Sequence, residues 1–391
     1  MPGARDVLIT GCGVQSPVGL GVASFWEGLL AGHAAARRIE RFPVADLAPN
    51  VAAEISWDDG DPDRAGALAL RAAHEALDDA ALGRGVVAPD RCGVALGTTL
   101  GGMTILETWD AAVRAGAGPV AGVEQIPYYA PATRLARHVG ARGPVATPQL
   151  ACASGTHAIA LAASWIRAGR ADVVLAGGTD LLCRFVVAGF NCLRATSDVA
   201  RPFDRDRKGL VLGEGAAVVV VEAREHAAAR GARARACVAG IGAAADAVHM
   251  TAPDRDGAGA ARAMRSAIAD ARRTPADVGF VSAHGTGTPY NDAMEAAALR
   301  RVFGAGGVAV NSIKGAVGHT LGAAGALEAV MCVRVLESGA IPPTAGLQHV
   351  DPACADLDLV ASAPRRTTAR LVVSTSSGFA GANAALVLAA A

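Results

Sequence analysis

Lysine is almost absent from this sequence, in which only Lys208 and Lys314 are lysines among 36 basic residues. The acidic residues also number 36, so the formal net charge is zero. This balance excludes a sequence-wide basic field of the kind that binds nucleic acid or anionic lipid, and we expect neither partner. Only 18% of the residues are charged and 52% are hydrophobic, which excludes an intrinsically disordered chain.

Long apolar runs and closely paired cysteines are absent as well. Residues 7–26 and 371–391 carry no charge, but glycine and polar residues divide both stretches into strand-length pieces. The sequence therefore predicts no transmembrane helix and a cytoplasmic protein. The eight cysteines include no CxxC pair, so neither a zinc site nor a dense disulfide framework is predicted.

What the chain does contain is a repeated order of apolar strands and alanine-rich helices. This alternation predicts an α/β protein with buried sheets. The order restarts near residue 236, which predicts an internal duplication with halves 1–235 and 236–391. The predicted strands are 6–10, 92–96, 147–151, 172–176, 216–222, 236–243, 279–283, 308–313, 371–374 and 385–389. The predicted helices are 24–31, opened by a capping box of Ser24 and Glu27, and 65–81, 155–168, 258–271 and 322–336.

The first candidate for chemistry is Cys152, in the sequence LACASG at 150–155. A predicted strand leads into a turn of small residues there, and a helix with no charge before Arg167 follows. Cys152 would lie at the helix N-terminus, where the dipole and free backbone N–H groups favour a thiolate. The small neighbours would let a carbonyl reach the sulfur, as nucleophilic catalysis requires. On this segment alone, a buried structural cysteine is an equally good interpretation.

A second polar group follows the predicted strand 279–283. His284 opens a loop of glycines and threonines that includes Thr286 and Thr288. Active-site residues of open α/β sheets collect at such strand ends. A cysteine together with histidines indicates thiol-based acyl transfer, with the imidazoles as hydrogen-bond donors, and leaves a cysteine hydrolase open.

Lys314 is followed five residues later by His319 and then by a helix that contains Glu328. Pairing with Glu328 would keep a buried lysine charged. The scarcity of lysine suggests that Lys314 is retained for a reason, although a coding bias that spared both lysines also explains it. Residues 377–383, SGFAGAN, form a glycine turn whose N–H groups would supply half of an oxyanion hole. On its own, that segment is more simply an ordinary hairpin turn.

Together these segments resemble the β-ketoacyl-ACP synthases, or ketosynthases, of the thiolase-like superfamily, nearest the type II elongating enzymes. The likeness extends over nearly the whole chain and keeps the order of the family's motifs. It is carried by LITGCGVQSPVG at 8–19, by residues 25–32, 151–155 and 171–180, by RPFD at 201–204, by GEG at 213–215, and by the segments around His284, Lys314, His319 and 378–383.

The resemblance implies a duplicated five-layer αβαβα fold and a dimer, either a homodimer or a heterodimer with a ketosynthase-like subunit. It implies decarboxylative condensation of a cysteine-bound acyl group with malonyl-ACP, in a type II polyketide or specialised fatty-acid pathway. An acyl carrier protein is the implied partner. No metal or redox cofactor is implied, because phosphopantetheine arrives on the carrier protein.

The resemblance also implies individual roles. Cys152 would accept the acyl group, with His284 and His319 as the two catalytic histidines. Lys314 would order the His284 side, supported by Glu328. The other implied roles are contact with the phosphopantetheine arm for Thr286 and Thr288, the gate and an oxyanion-hole N–H for Phe379, and a wall of the acyl pocket for Leu106.

Three departures from the family's pattern favour a remodelled pocket or partner surface. Ser377 and Ala380 stand where phenylalanine and glycine are common, and Lys208 and Leu210 stand where aspartate and phenylalanine are common. Residues 133–143 are several residues shorter than usual. The alternative is a non-catalytic partner like the chain-length-factor subunits, which typically lack the cysteine that is present here. A thiolase would need a second cysteine near the C-terminus, and 378–383 contains none.

Overall fold

The computed structural model describes residues 5–58, 60–83 and 86–391. Its strands are β1 (Val7–Ser16), β2 (Gly19–Leu20), β3 (Arg37–Arg38), β4 (Val51–Ala53), β5 (Cys92–Gly97), β6 (Val145–Ala146), β7 (Val173–Asp180), β8 (Leu212–Gly213), β9 (Gly215–Ala223), β10 (Ala236–Ala245), β11 (Phe280–Ser282), β12 (Ala309–Asn311), β13 (Ala340–Ile341), β14 (Asp358–Leu359), β15 (Arg365–Arg366), β16 (Leu371–Gly378) and β17 (Ala382–Ala390). Its α-helices are α1 (Val22–Leu30), α2 (Arg64–Asp79), α3 (Met103–Arg114), α4 (Ala130–Val139), α5 (Ser154–Arg167), α6 (Arg184–Cys192), α7 (Arg224–Ala229), α8 (Ala258–Asp270), α9 (Pro289–Phe303), α10 (Lys314–Val317) and α11 (Ala324–Ser338).

Most strands belong to two half-sheets that share one topology. The strand order is β1-β9-β7-β5-β6 in the first half and β10-β17-β16-β11-β12 in the second, where β14 adds an outer strand. Counted along the chain within each half, both orders place the last main strand beside the first. The half-sheets join where β1 lies antiparallel to β10 through the pairs Leu8–Cys237 and Ile9–Ala236. This repetition confirms the predicted duplication of the fold, while the exact boundary at residue 235 stays a prediction.

The helices fall into three layers around these half-sheets. α5 and α11 lie in the middle and contact strands of both halves. α2 and α4 cover the outer face of the first half-sheet, and α8 and α9 share one hydrophobic core with the second. The result is the five-layer αβαβα arrangement that was expected. Eleven of the fifteen residues of α11 are buried, and Glu328 is one of them.

The two middle helices approach each other closely because glycine occupies their contact. A Cβ on Gly155 would lie 2.6 Å from the carbonyl oxygen of Gly322, and one on Gly325 would lie 1.9 Å from Thr156 Oγ1. Larger residues would therefore push α5 and α11 apart. The contact brings the N-terminal ends of both helices, and with them residues 152 and 319, to one place in the molecule.

Two local predictions are wrong. α1 begins at Val22, so Ser24 lies inside the helix and its hydroxyl donates to the carbonyl oxygen of Leu20 (2.7 Å) instead of forming a capping box. The strand predicted at 147–151 is replaced by the short β6 and a tight turn, because Ala151 has a left-handed backbone with φ of 48°. Among the helices of the described ranges, none combines the length and apolar character needed to cross a bilayer.

Candidate active site

The site lies at the inner end of a cavity of about 340 Å³. Lys314 and Glu328 are buried behind its wall. Leu106 lies on α3 and is not among the described residues that line the cavity, so its role stays a prediction. Six of the nine residues predicted to act line the cavity, namely Cys152, His284, Thr286, Thr288, His319 and Phe379.

Cys152 occupies the tight turn that precedes α5. The positive φ of Ala151 is unfavourable for a residue with a Cβ and is typical of a strained functional turn. Ser154 fixes the turn, because its hydroxyl accepts from the N–H of Leu150 (2.9 Å) and donates to the carbonyl oxygen of Ala151 (2.6 Å). The turn presents the Cys152 sulfur to His319, whose Nε2 lies 3.0 Å away.

The Cys152 thiol is harder to ionise than its place at a helix N-terminus suggests. Burial raises the pKa of Cys152 to about 12, although the nearby Lys314 ammonium acts in the opposite direction. Desolvation of the charged form therefore outweighs the attraction of the helix end and of the cation. A thiolate at Cys152 needs additional stabilisation from a group that contacts the sulfur.

His319 is a neutral imidazole with a defined tautomer. Burial and the Lys314 charge hold its pKa well below the usual value of 6.5. Its Nδ1 accepts the N–H of Leu321 (3.3 Å), so the single ring proton lies on Nε2. That Nε2–H group points at the Cys152 sulfur and can donate to it.

His284 is neutral for the same reasons, because burial, Lys314 and His319 together lower its pKa. The Lys314 ammonium lies 3.2 Å from His284 Nδ1 and donates to it, which leaves the ring proton on Nε2. The two imidazole centroids are 5.2 Å apart and the ring planes are nearly perpendicular. The cavity floor thus holds one thiol and two Nε2–H donors.

Lys314 links the histidine to the middle helices. Its ammonium also donates to the carbonyl oxygen of His284 (2.5 Å) and forms an ion pair with Glu328 on α11. Burial raises the pKa of Glu328 to about 7, against the attraction of the ammonium. Ser376 donates to the second Glu328 oxygen (3.4 Å) and lies 2.7 Å from the Thr156 hydroxyl. The predicted pairing of Lys314 with Glu328 is present.

Two buried carboxylates hold this site together, and the sequence reasoning missed both. Glu295 on α9 accepts the backbone N–H groups of His284 (2.6 Å) and Gly285 (2.7 Å). Asp180, at the end of β7, accepts four donors from two loops, among them the N–H of Gly322 (2.6 Å). The signal that could have found them is an acidic residue among small or apolar neighbours, as Glu295 is in the sequence AMEAAA of α9 and Asp180 is at the end of β7.

Phe379 lines the same cavity as the two histidines. Its ring stacks on Phe190 of α6, a residue that the sequence reasoning also missed. The preceding Gly378 lies against the cysteine turn, since a Cβ there would come within 2.8 Å of the Leu150 oxygen and 3.3 Å of the Cys152 nitrogen. Only glycine fits at this position, which brings the Phe379 turn beside Cys152.

The departures from the family pattern lie around the same cavity. The Ser377 hydroxyl donates to Asn383 Oδ1 (2.7 Å), so serine adds a hydrogen bond where a ring is common. Ala380 has φ of 62°, a conformation that glycine adopts without strain, and its N–H donates to the Met250 carbonyl oxygen (2.7 Å). Lys208 and Leu210 both line the cavity.

The thiol and the two imidazoles on the cavity floor could ligate a metal ion. Cys152, His284 and His319 each offer one ligand atom, and these atoms lie within 4.8 Å of one another. A thiol and two imidazoles suit zinc. Two features oppose a resident metal, because the Lys314 ammonium contacts one of the imidazoles and the thiol is hard to deprotonate. The arrangement suits donation to a substrate oxygen better than it suits binding a dication.

Comparisons with known proteins show the family of this chain. The family model described as "Beta-ketoacyl synthase, N-terminal domain" matches residues 4–227, and the one described as "Beta-ketoacyl synthase, C-terminal domain" matches residues 235–348. Among curated proteins, the chain is 42% identical to the "Tetracenomycin polyketide synthase ketoacyl synthase alpha subunit" of Streptomyces glaucescens. That alignment covers 98% of this chain and 97% of the relative.

Solved structures give the same result. "The ishigamide ketosynthase/chain length factor" matches with a TM-score of 0.94 and 38% identity, over 99% of this chain and all of the other. A type II polyketide synthase carrier protein in complex with its ketosynthase, AntDE:AntF, matches with a TM-score of 0.93 and 31% identity, with the same coverage. The chain therefore belongs to the β-ketoacyl synthase family, whose enzymes transfer an acyl group and form a carbon–carbon bond.

Proposed function

We propose that this protein condenses an acyl group held on Cys152 with a malonyl group held on an acyl carrier protein, with loss of carbon dioxide. The observation that carries the proposal is the meeting of one thiol with two neutral Nε2–H donors in one cavity. A relative named as a polyketide synthase ketoacyl synthase subunit supports a type II polyketide pathway, or a related specialised fatty-acid pathway, as the setting.

In the loading step, Cys152 attacks the thioester carbonyl of an acyl carrier. The new carbon–sulfur bond forms as the carrier's bond breaks, and the proton of the Cys152 thiol ends on the departing pantetheine sulfur. The Nε2–H of His319 lies 3.0 Å from the sulfur and stabilises the thiolate that forms transiently during this step. We propose the backbone N–H groups of Cys152 and Phe379 as the oxyanion hole, supported by the contact of Gly378 with the cysteine turn.

In the condensation step, malonyl-carrier loses carbon dioxide and negative charge develops on its thioester oxygen. His284 and His319 would both donate to that oxygen through Nε2–H. Neutral donors suit this task, because they stabilise the enolate without turning it into a stable ion pair. The carbanion then attacks the acyl-Cys152 carbonyl, and the carbon–sulfur bond breaks. This releases the β-ketoacyl group on its carrier and leaves a Cys152 thiolate, which takes up a proton from solvent to restore the thiol.

Lys314 is a positioning residue in this scheme. Its ammonium lies behind His284, where it fixes the Nε2–H tautomer and keeps the ring neutral by repelling a second positive charge. Glu328 compensates the buried ammonium. Thr286 and Thr288, whose hydroxyls are 2.9 Å apart on the cavity wall, are proposed to contact the amides of the phosphopantetheine arm.

The partners we propose are an acyl carrier protein and a second ketosynthase-like subunit. Solved relatives described as a ketosynthase with its carrier and as a ketosynthase with a chain length factor support both partners.

We propose no metal or redox cofactor, and dialysis against a chelator is expected to leave activity unchanged. All eight cysteines are unpaired, which supports a reducing cytoplasm as the compartment. A non-catalytic role is not favoured, because the ligand atoms of Cys152, His284 and His319 lie within 4.8 Å of one another.

Separate assays of the two half-reactions test this proposal. His284→Ala and His319→Ala are expected to lower malonyl-carrier decarboxylation by about 10²–10³-fold each, the usual effect of losing one such donor. Loading of Cys152, followed by intact mass, should fall less in His284→Ala, since its Nε2 does not contact the sulfur. A His319 variant that lost acylation but kept full decarboxylation would contradict the assigned roles.

A further inference from the structure

Two cations line the outer part of the catalytic cavity, Lys208 and Arg194. Both side chains are exposed, whereas Cys152 and Thr286 are buried, so the cations mark the mouth of the cavity and the cysteine its floor. Within the described residues, neither side chain forms a hydrogen bond or an ion pair with the protein. Lys208 is also the second of the two lysines in a chain that otherwise uses arginine.

The nearby carboxylates already accept hydrogen bonds from other groups, which leaves Lys208 and Arg194 free to bind a ligand. Arg207 is buried, and its guanidinium donates to Asp351 (2.5 Å) and to the carbonyl oxygen of Asp204 (2.8 Å). Asp246 is the one carboxylate among the described residues that line the cavity. Its oxygens accept Asn383 Nδ2 (2.7 Å) and the N–H of Asp254 (3.1 Å), so it is engaged by the loop beside Phe379.

We propose that Lys208 and Arg194 form a phosphate-binding subsite for the outer end of the pantetheine arm. This inference rests on the proposed function, in which the arm enters at the mouth and delivers its thioester to Cys152. The arm carries its thioester at the inner end, two amides along its length and a phosphate at the outer end. The exposure of the lining groups rises in the same order, from the buried Cys152 and Thr286 through the half-buried Thr288 to the two exposed cations.

The chemistry of the two side chains fits a phosphate. An arginine presents a planar fork of donors and a lysine a compact ammonium, and both bind phosphate oxygens through charge-assisted hydrogen bonds. The family resemblance places aspartate commonly at position 208, where a carboxylate would repel a phosphate. The exchange to lysine reverses that charge at the mouth, which makes this subsite a property of this chain.

Binding of two small probes tests the subsite without any chemistry at Cys152. The affinities of 4′-phosphopantetheine and pantetheine, which differ by the phosphate, are measured by calorimetry at low salt. The intact protein is expected to bind the phosphorylated probe about tenfold more tightly, as for a charged hydrogen-bonded contact. Lys208→Ala and Arg194→Ala should each remove most of this advantage, while the affinity for pantetheine stays the same.

Arg233→Ala, which removes an exposed arginine that does not line the cavity, is the matched control and should keep the full advantage. Equal binding of both probes by the intact protein, or an advantage that survives both cavity substitutions, would overturn the subsite.

A second experiment uses carrier protein without its arm, which distinguishes the phosphate of the arm from anionic groups on the carrier surface. If Lys208→Ala weakens that bare carrier as strongly as it weakens the armed carrier, the cations bind the carrier surface and the assignment to phosphate is wrong. A failure of the proposed condensation would appear in the Cys152 assays and leave these affinities unaffected.

Discussion

The rings of Phe190 and Phe379 are stacked, with centroids 5.7 Å apart and an angle of 23° between their planes. Phe190 belongs to α6 and Phe379 to the turn between β16 and β17, so the stack joins two separate walls of the cavity. Phe379 is one-third exposed, as expected for a ring at an opening and not in a core. We therefore expect the stack to hold the proposed gate in one position.

Phe190→Ala is expected to loosen this gate. An aromatic pair contributes about 0.5–1.5 kcal/mol beyond its buried area, so the open position should gain about twofold to tenfold in population. We expect faster acylation of Cys152 by long-chain acyl carriers in this variant, measured by rapid-quench intact mass. Phe185→Ala, an exposed phenylalanine of the same helix, is the control and should not change that rate. Equal rates in wild type and Phe190→Ala would show that the stack does not hold the gate.

Lys314→Arg is expected to fold but to lose condensation activity by about 10²-fold or more, the effect of misplacing one donor. The Lys314 ammonium fits between His284 Nδ1, the His284 carbonyl oxygen and Glu328, and a forked guanidinium is too large for this buried space. A thermal melt close to that of wild type would separate the loss of activity from unfolding. Retained activity in Lys314→Arg would remove the argument from the scarcity of lysine.

The two buried histidines should make the protein less stable in acid. Their pKa values are lowered by folding, whereas unfolded histidine titrates near 6.5, so below pH 6.5 the unfolded chain binds protons that the native state does not. Each histidine then contributes a loss of up to about 1.4 kcal/mol per pH unit. His284→Asn should reduce the fall in melting temperature between pH 7 and pH 5. Exposed His33→Asn controls for the substitution, and an unchanged fall in His284→Asn would contradict a neutral buried ring.

Alkylation of Cys152 by iodoacetamide is expected to accelerate about tenfold per pH unit from pH 7 to pH 9 without levelling off. The reagent reacts with the thiolate, and burial raises the pKa of this thiol to about 12. Exposed Cys192 would react first, so the rate is measured by peptide mass spectrometry in a Cys192→Ser background. A plateau below pH 8 would show that the helix end and His319 already hold a thiolate in the resting protein.

The sequence was sufficient for the architecture, because strand and helix patterns act over short distances. Alternating apolar strands and alanine-rich helices predicted the α/β layers, and most predicted elements match those observed within a few residues. The turn at Ala151 was missed, since a left-handed alanine is held by contacts such as the hydrogen bonds of Ser154 and not by local propensity.

The site was predictable in membership but not in geometry. The family resemblance can assign motif residues such as Cys152, His284 and Lys314. Glu295 and Phe190 reach the site only because the fold brings α9 and α6 beside loops that are distant in the sequence, so the sequence alone does not reveal them. The raised pKa of Cys152 could not be predicted for a related reason. A helix N-terminus can be found from the sequence, but the degree of burial that raises the pKa of the sulfur depends on the packing of two half-sheets.

Acylation of the intact protein tests the central claim most directly. The protein is incubated with a stoichiometric excess of acyl-carrier, and its mass is measured alongside those of Cys152→Ala and the exposed-cysteine control Cys192→Ala. Wild type and Cys192→Ala are predicted to gain the mass of one acyl group, and Cys152→Ala is predicted to gain none. Stoichiometric acylation of Cys152→Ala would contradict the assignment of Cys152 as the acyl-accepting nucleophile.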